Sequence, residues 1–484
     1  MRVFRHNWLA IALCTLALTA PAARGQQQQQ QSQDQGAAPI PAYHSPLASA
    51  ADNANSEANP QGPTPDTSPL AGAQSLSLGG LGTTRSYWQP HLDVSATADS
   101  NPFQSTTTQP SWSTWTSFSG GVDIHRISGS SEMNVGYTGG VMYSNDRTAA
   151  NGFVQGLNFA DKFSFRRSSI SFFDQLSYLP EQAFGFGGLG GVPLPGGGAP
   201  GLGPGFVPGQ SILAGRGQSL ANSFVTEVDV HLTPRSSLTF AGGYALLHYF
   251  DSNLLDYGDV IAQGGYNYQV TQKNTVAVVY SFSGFRYSHF SQSIDDHTAQ
   301  ISFARRVTGR LAFQIAAGPQ VAVFHTPIPG GSGSSGGGAT NSTQLYWSLN
   351  TALQYQFQRT GLGLSYSHGV AGGSGVLAGS VSDTVMGSAT RQMSRTFSSG
   401  VTAGYARNHG LTTGIIPASQ TYNYWFAGAS ISHPWGRSLG LTLSYQMQYQ
   451  DSNATFCVGP TCGMKLIRHM ISVGLGWHER PLRF

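Results

Sequence analysis

The chain has 484 residues, of which 10% are charged, 39% are hydrophobic and 62 are Gly. So little charge, with about twice the usual share of Gly, argues against an ordinary cytosolic enzyme. Of the 25 Lys and Arg residues, Arg2, Arg5 and Arg24 lie in a predicted leader, which leaves 22 against 22 Asp and Glu. A balanced chain has no broadly basic surface, and this excludes general nucleic-acid binding.

Residues 1–25 have the pattern of a secretory signal peptide. Arg2 and Arg5 precede an apolar stretch at 8–23, and small residues around Ala23 offer a cleavage site. The stretch is short for a membrane-spanning helix, and no stop-transfer pattern follows it. We therefore expect an exported protein.

Residues 26–86 are rich in Gln, Ala, Pro and Ser and begin with a run of Gln at 26–31. Such a composition buries too little apolar surface to offset the conformational entropy lost on folding. We expect a disordered periplasmic arm.

From residue 88 to 478 the chain alternates between apolar and polar residues. Leu441 and Leu443 lie on one face of a predicted strand, and Thr442 and Ser444 lie on the other. Strict alternation predicts a strand with one apolar face. No run of 18 apolar residues occurs after the leader, which excludes spanning helices.

About 18 such segments (16–20) can be counted, and short turns alternate with longer loops between them. This layout predicts an all-β fold over 87–484, a transmembrane antiparallel up-and-down β-barrel. A soluble β-sandwich or propeller is the competing fold, because it also alternates.

Three features favour the membrane barrel. Aromatic residues concentrate near the ends of the apolar faces, the opposite faces carry Ser, Thr, Gln, Asn and Gly, and the short turns are basic. The turn cations suit anionic headgroups at one rim. They are Arg126, Arg166, Arg235, Lys273, Arg310, Arg359, Arg395 and Arg437. In lipid a sheet must close on itself, because no backbone group can be left unpaired.

The polar faces supply the candidate pore-lining residues. By alternation these are Asp123, His125, Glu132, Glu227, Asp229, His231, Arg306 and Arg468, together with Asp93, Lys162 and Asp296. Both signs of charge occur, whereas a pore tuned for one ion type shows a ring of one sign. We therefore expect small, mostly neutral polar solutes such as sugars. The alternative is that these residues pair with one another and plug the barrel.

The loop at 179–219 is the longest, and its only charges are Glu181 and Arg216. It either folds inward as a constriction or forms an external flap, and the sequence does not decide between them.

Other chemistry is sparse. Cys457 and Cys462 share the last long loop, and the oxidising exterior favours a disulfide over free thiols. No ligand set of suitable spacing predicts a metal or a cofactor. Asp295, Asp296 and His297 are the best candidate for an acid/base cluster, but no second acidic pair is identifiable opposite them. We therefore expect no enzyme.

Both ends of the predicted barrel resemble bacterial outer-membrane proteins. Ile471, Val473, Leu475 and Trp477 alternate before the terminal Phe484, which is similar to the signal that the barrel-assembly machinery reads, although Pro481 departs from it. Residues 92–103 (LDVSATADSNPF) resemble the first strand of β-barrel porin families that are sometimes grouped with exopolysaccharide loci. The resemblance implies an integral outer-membrane channel without a cofactor.

The sequence therefore predicts a porin-like passive channel. Two alternatives stay open: a barrel associated with exopolysaccharide export or secretion, and a surface structural or adhesive barrel with a blocked lumen. The implied partners are the lipid bilayer, the barrel-assembly machinery, and small polar solutes or glycans. Whether the chain forms a homo-oligomer is left open.

Overall fold

A computed structural model describes residues 86–101, 112–144, 151–179, 218–250, 254–288, 293–308, 310–327, 339–372, 377–411, 421–452 and 465–483. The predicted signal peptide and the predicted arm, except Ser86, lie outside these residues. No helix in the described part of the chain is long and apolar enough to cross a membrane.

The described residues form 18 long strands and one strand of two residues. They are β1 (Tyr87–Asp99), β2 (Ser113–Ser128), β3 (Ser131–Ser144), β4 (Gly152–Ser164), β5 (Ser168–Leu179), β6 (Ser219–Thr233), β7 (Ser236–Tyr249), β8 (Tyr257–Thr271), β9 (Asn274–Tyr287), β10 (Ser293–Thr308), β11 (Leu311–Pro327), β12 (Ala339–Gln356), β13 (Thr360–Ala371), β14 (Ser380–Gln392), β15 (Ser398–Gly410), β16 (Thr421–Trp435), β17 (Leu439–Ser452), β18 (Lys465–His478) and β19 (Leu482–Arg483).

Each long strand pairs antiparallel with its neighbours in the chain, and β1 pairs with β18. Val94 of β1 lies opposite Phe118 of β2 on one side and Leu475 of β18 on the other. The sheet therefore closes on itself, and the predicted 18-stranded up-and-down barrel is confirmed. β19 adds a short pairing of Leu482 with Trp88.

The two faces of the wall differ as the alternation predicts. In β17, Leu441 and Leu443 point outward and are 40% and 50% exposed, whereas Thr442 and Gln446 point inward and are buried. The same outward band of large apolar side chains continues around the barrel. Because β1 pairs with β18, neither the first nor the last long strand is left as an open edge in hydrocarbon. The protein therefore has the architecture of a β-barrel that spans a membrane.

The short turns lie at one end of the wall. The eight turn cations are all exposed there. Gly129 and Gly436 have φ of 55° and 78°, a left-handed backbone that tight hairpins need and that other residues adopt only with strain.

Asp161, Asp174 and Pro319 break the alternation in the sequence, and such breaks predict bulges or rim positions. For Asp174 this prediction is wrong, because Asp174 points outward from the middle of β5 in regular register opposite Phe159 and Phe224. Its Oδ1 accepts a hydrogen bond of 2.8 Å from Asn222 Nδ2 on the same outer face. Asp161 also points outward, three residues from the short-turn end of β4, and accepts a bond from Ser131.

Pro319 interrupts β11 without shifting its register against β12, where it lies opposite Trp347. On the other side, the pairing with β10 skips Ala299 and Gln300. Proline has no N–H to donate to that ladder. The adjacent Gly318 fits because a Cβ there would collide with the Ala299 carbonyl oxygen.

Candidate functional site

The inward faces of the strands form the candidate site, the lumen. Small hydroxyls bond across neighbouring strands there, such as Thr97 Oγ1 to Ser472 Oγ at 2.7 Å and Ser95 Oγ to Ser117 Oγ at 2.6 Å. Inward positions carry many Ser, Thr and Gln residues because one face of each strand must be polar while the other meets lipid.

Three candidates lie on the inward face of β6. Glu227 and Asp229 are buried at 0% and 3% exposure, and Asp229 Oδ1 accepts a bond of 2.7 Å from Thr239. His231 lies nearer the short-turn end and is exposed. Glu132 of β3 is also exposed near that end, opposite Lys162 of β4.

Asp123 and His125 face inward from β2. His125 Nδ1 lies 2.6 Å from Asn134 Oδ1 on β3. Asp123 Oδ2 lies 3.5 Å from His91 Nδ1 on β1. The candidates at this point of the wall therefore belong to a network of polar side chains.

Arg468 also faces inward, but a carboxylate holds it against the wall. Its Nε lies 3.1 Å and 2.9 Å from the two carboxylate oxygens of Asp99, and its Nη2 lies 2.5 Å from Oδ2. The two side chains are 1% and 0% exposed. Local alternation cannot predict this pairing, because the two residues are 369 positions apart in the chain.

Other candidates fall partly or wholly outside the described residues. Arg306 occupies an inward position opposite Ala312, but its side chain is not among those described. Glu181, Arg216, Cys457 and Cys462 lie wholly outside the described residues. The constriction by the 179–219 loop and the disulfide therefore stay predictions.

Taken together, the inward positions of the 18 long strands carry an excess of acidic residues. Eight are acidic and three are basic: Asp93, Asp99, Asp123, Glu132, Glu227, Asp229, Asp259 and Asp296, against Lys162, Arg306 and Arg468. Asp99 and Asp259 were missed in the sequence. Asp259 could have been found by alternation, because its neighbour Val260 is apolar and falls on the outward face.

The proposed acid/base cluster is not assembled. Asp295 points outward, where it binds Arg286 Nη2 at 2.7 Å and His325 Nε2 at 3.0 Å. Asp296 points inward and accepts bonds from Gln320 Nε2 at 2.8 Å and Thr298 Oγ1 at 3.1 Å. Successive strand residues face opposite sides, which separates these carboxylates. Among the described residues, no group of three or more His, Cys, Asp or Glu could hold a metal ion.

One part of the chain departs from the barrel wall and enters the lumen. We name residues 369–372 and 377–382, at the outer ends of β13 and β14, the inner segment. Val370 donates its N–H to Gln320 Oε1 at 3.0 Å, and Tyr287 donates its hydroxyl to the Gly372 carbonyl at 2.7 Å. Both partners belong to strands on the far side of β12.

Apolar contacts extend this path across the lumen. Val370 packs in a buried cluster with Phe285, Ile294 and Phe324 of β9–β11. Leu377, at the other end of the inner segment, packs against Tyr422 of β16. The inner segment therefore reaches both β9 and β16 and narrows the outer end of the barrel.

Comparisons with known proteins give structural likenesses only. No family model matches the chain, and no curated protein matches it. Solved structures that resemble it include Pseudomonas aeruginosa OpdQ, at 10% identity and a TM-score of 0.40, with 82% of this chain and 99% of that chain covered. Pseudomonas aeruginosa OpdL matches at 9% identity and a TM-score of 0.40 over 82% and 99% of the two chains. The outer-membrane protein opdK of the same organism matches at 10% identity and a TM-score of 0.38 over 81% and 99%.

Proposed function

We propose that the protein is a passive channel for small polar solutes and that it favours cations over anions. The observation that carries this proposal is the acidic excess on the inward face of a closed barrel. Barrels of 16 to 18 strands leave an aqueous lumen when loops do not fill it. Charges of one sign along a narrow path raise the local concentration of the opposite ion.

The proposal departs from the neutral selectivity expected from the sequence. Asp99 and Arg468 neutralise each other, and burial shields Glu227, Asp229, Asp259 and Asp296. Without these six residues an acidic excess of one charge persists, because Asp93, Asp123 and Glu132 remain against Lys162 and Arg306.

The inner segment supports a restricted channel rather than a wide one. It contacts β9 through Tyr287 and β16 through Tyr422, so solutes would pass beside it. A narrowed outer end selects small solutes by size, while the polar face below it supplies hydrogen bonds.

Reconstitution into planar bilayers tests the proposal. We expect discrete current steps and, under a KCl gradient, a reversal potential of the sign that cation preference produces. Addition of sugars of increasing size then reports the limiting width. Current steps with a reversal potential of anionic sign would contradict the cation preference, and their absence would contradict the channel.

A structural barrel with a closed lumen is the second candidate. The buried cluster of Phe285, Ile294, Phe324 and Val370 favours it, because apolar packing at the outer end excludes water. In that case wild-type protein gives no current, and Val370→Ser with Leu377→Ser, which weakens both apolar contacts of the inner segment, produces one.

A further inference from the structure

The inward course of β13 leaves one strand edge of the barrel unpaired. β12 pairs with β13 only from Leu349 opposite His368 down to Gln356 opposite Gly361. Its pairing with β11 continues up to Ala339. Over 340–348, β12 therefore has no strand partner on the β13 side within the described residues. We call this gap the seam.

The seam contains a cavity on the outer surface of the barrel. Its volume is about 520 Å³, and six of its lining residues occupy outward positions. The other two, Tyr346 and Val381 of the inner segment, pack against the buried cluster that contains Val370. The lining residues are Leu345, Tyr346, Trp347, His368, Val381, Asp383, Arg407 and His409. Leu345 and Arg407, both exposed, place the opening of the cavity on the outer face of the wall, with Tyr346 and Val381 on its inner side.

One side of the cavity is apolar. Leu345 is 74% exposed and Trp347 is 52% exposed. One face of the indole stacks on His368, with ring centroids 3.9 Å apart and planes at 18°. Outward aromatic residues near the long-loop ends of strands, such as Tyr143 and Trp425, mark the interface between hydrocarbon and headgroups. Trp347 belongs to that band, so an acyl chain reaches this side of the cavity.

The other side of the cavity is polar and includes the guanidinium of Arg407. Asp383 Oδ1 accepts bonds from His368 Nδ1 at 2.7 Å and from the Tyr366 hydroxyl at 2.9 Å. Arg407 lies opposite Asp383 in the register, is exposed, and makes no ion pair among the described residues. A guanidinium with no carboxylate bound to it is suited to a phosphate.

We propose that the seam binds an anionic, phosphate-bearing lipid of the surrounding outer leaflet. Its phosphate lies on Arg407, and one acyl chain lies along Leu345 and the free face of Trp347. Over 340–348 the backbone N–H and C=O groups on the β13 side of β12 lack a strand partner in the described part of the chain. Oxygens and hydroxyls of the lipid headgroup can bond to them, whereas hydrocarbon cannot. The site concerns the outer wall and is independent of the proposed channel.

The test counts retained lipid on the full chain in phosphatidylcholine nanodiscs doped with lipid A, by native mass spectrometry. We expect wild-type protein to retain lipid A in preference to phosphatidylcholine. Arg407→Gln should lower that retention about fivefold, the usual effect of one cation at headgroup level. Trp347→Ala should lower it as well, because it removes the chain contact.

Two matched controls fix the interpretation. Arg391→Gln removes an exposed outward cation at the opposite end of the same sheet region, and Trp435→Ala removes an outward indole at the short-turn end. Both should retain lipid A as wild type does. If Arg407→Gln does not fold, Arg407→Lys and Leu345→Ser carry the test, with weakened retention expected for each.

Equal retention by Arg407→Gln and Arg391→Gln would overturn the proposal. So would displacement of lipid A by inorganic phosphate alone, since that outcome means that the acyl chain adds nothing. Phosphatidylcholine also carries a phosphate, but its choline balances the charge, so retention of phosphatidylcholine as strongly as lipid A would overturn the preference for an anionic headgroup.

Discussion

Arg468 of β18 and Asp99 of β1 form a buried ion pair across the junction where the barrel closes, with the Arg468 Nε 2.9 Å from Asp99 Oδ2. Removing one member of such a pair leaves the other charge buried and uncompensated. Arg468→Ala should therefore lower the free energy of unfolding by about 3–5 kcal/mol. Urea unfolding of protein reconstituted in lipid vesicles measures this loss.

The control is Arg395→Ala, at an exposed turn, which should change little. Asp99→Leu combined with Arg468→Met should recover most of the lost stability, because no charge is then left unpaired. Loss of equal size in Arg468→Ala and Arg395→Ala would rule out a role for the pair in closure.

The cation preference makes a second prediction, at the short-turn mouth. Asp123→Asn with Glu132→Gln removes two inward carboxylates and should lower the cation-to-anion permeability ratio by up to about fivefold, since a unit charge at ~4 Å in water contributes ~1 kcal/mol. Reversal potentials under a KCl gradient report the ratio. Asp161→Asn is the control, because Asp161 lies at the same end but points outward. An unchanged ratio in the double variant would place selectivity elsewhere.

A third prediction concerns the hold on the inner segment. Tyr287→Phe removes the hydroxyl that bonds the Gly372 carbonyl, a contact that contributes about 1 kcal/mol. The inner segment should then fluctuate more, so single-channel records should show more frequent transitions between conductance levels. Tyr280→Phe changes an outward hydroxyl of the same strand and should leave the record unchanged. Indistinguishable records for the two variants would show that this bond does not restrain the inner segment.

A fourth prediction addresses the polar pair on the lipid face. Asp174 lies on the outer wall in the middle of β5, and Asn222, three residues after the start of β6, bonds to it on the same face. Polar groups on this face cost stability. Replacing both by Leu should raise the free energy of unfolding in vesicles by about 1 kcal/mol or more. Asp161→Leu, near the short-turn end, should gain less because the cost falls towards the interface. A loss of stability in the double variant would indicate that the pair serves a contact with another molecule.

The predicted disulfide between Cys457 and Cys462 gives a fifth test. Alkylation of folded, unreduced protein should modify neither residue, and prior reduction should expose both. Mass spectrometry of the loop peptide distinguishes the two states. Labelling without reduction would show free thiols.

The sequence was enough to predict the barrel and which side chains point inward or outward, because the side chains of a strand alternate with a period of two residues. Thr442 and Leu443 are assigned to opposite faces by counting alone, and the structure agrees. The same counting assigns Asp296 inward and Asp295 outward, which was enough to separate the supposed acid/base cluster.

The inner segment could not be predicted in this way, because it depends on contacts between distant parts of the chain. Val370 bonds a side chain 50 residues earlier, and the strand that carries it alternates like any other. Arg468 likewise looked like a lone inward cation, since its partner lies 369 residues away. Local periodicity carries no information about either pairing.

The pairing of the first strand with the last also governs how the molecule assembles. Thr97 and Ser472 bond across that junction although they are 375 positions apart. Bringing such distant segments together is entropically unfavourable, so ring closure comes late, after the intervening hairpins have formed. Until then the sheet is open, and the unpaired edges of its first and last strands favour aggregation with other chains.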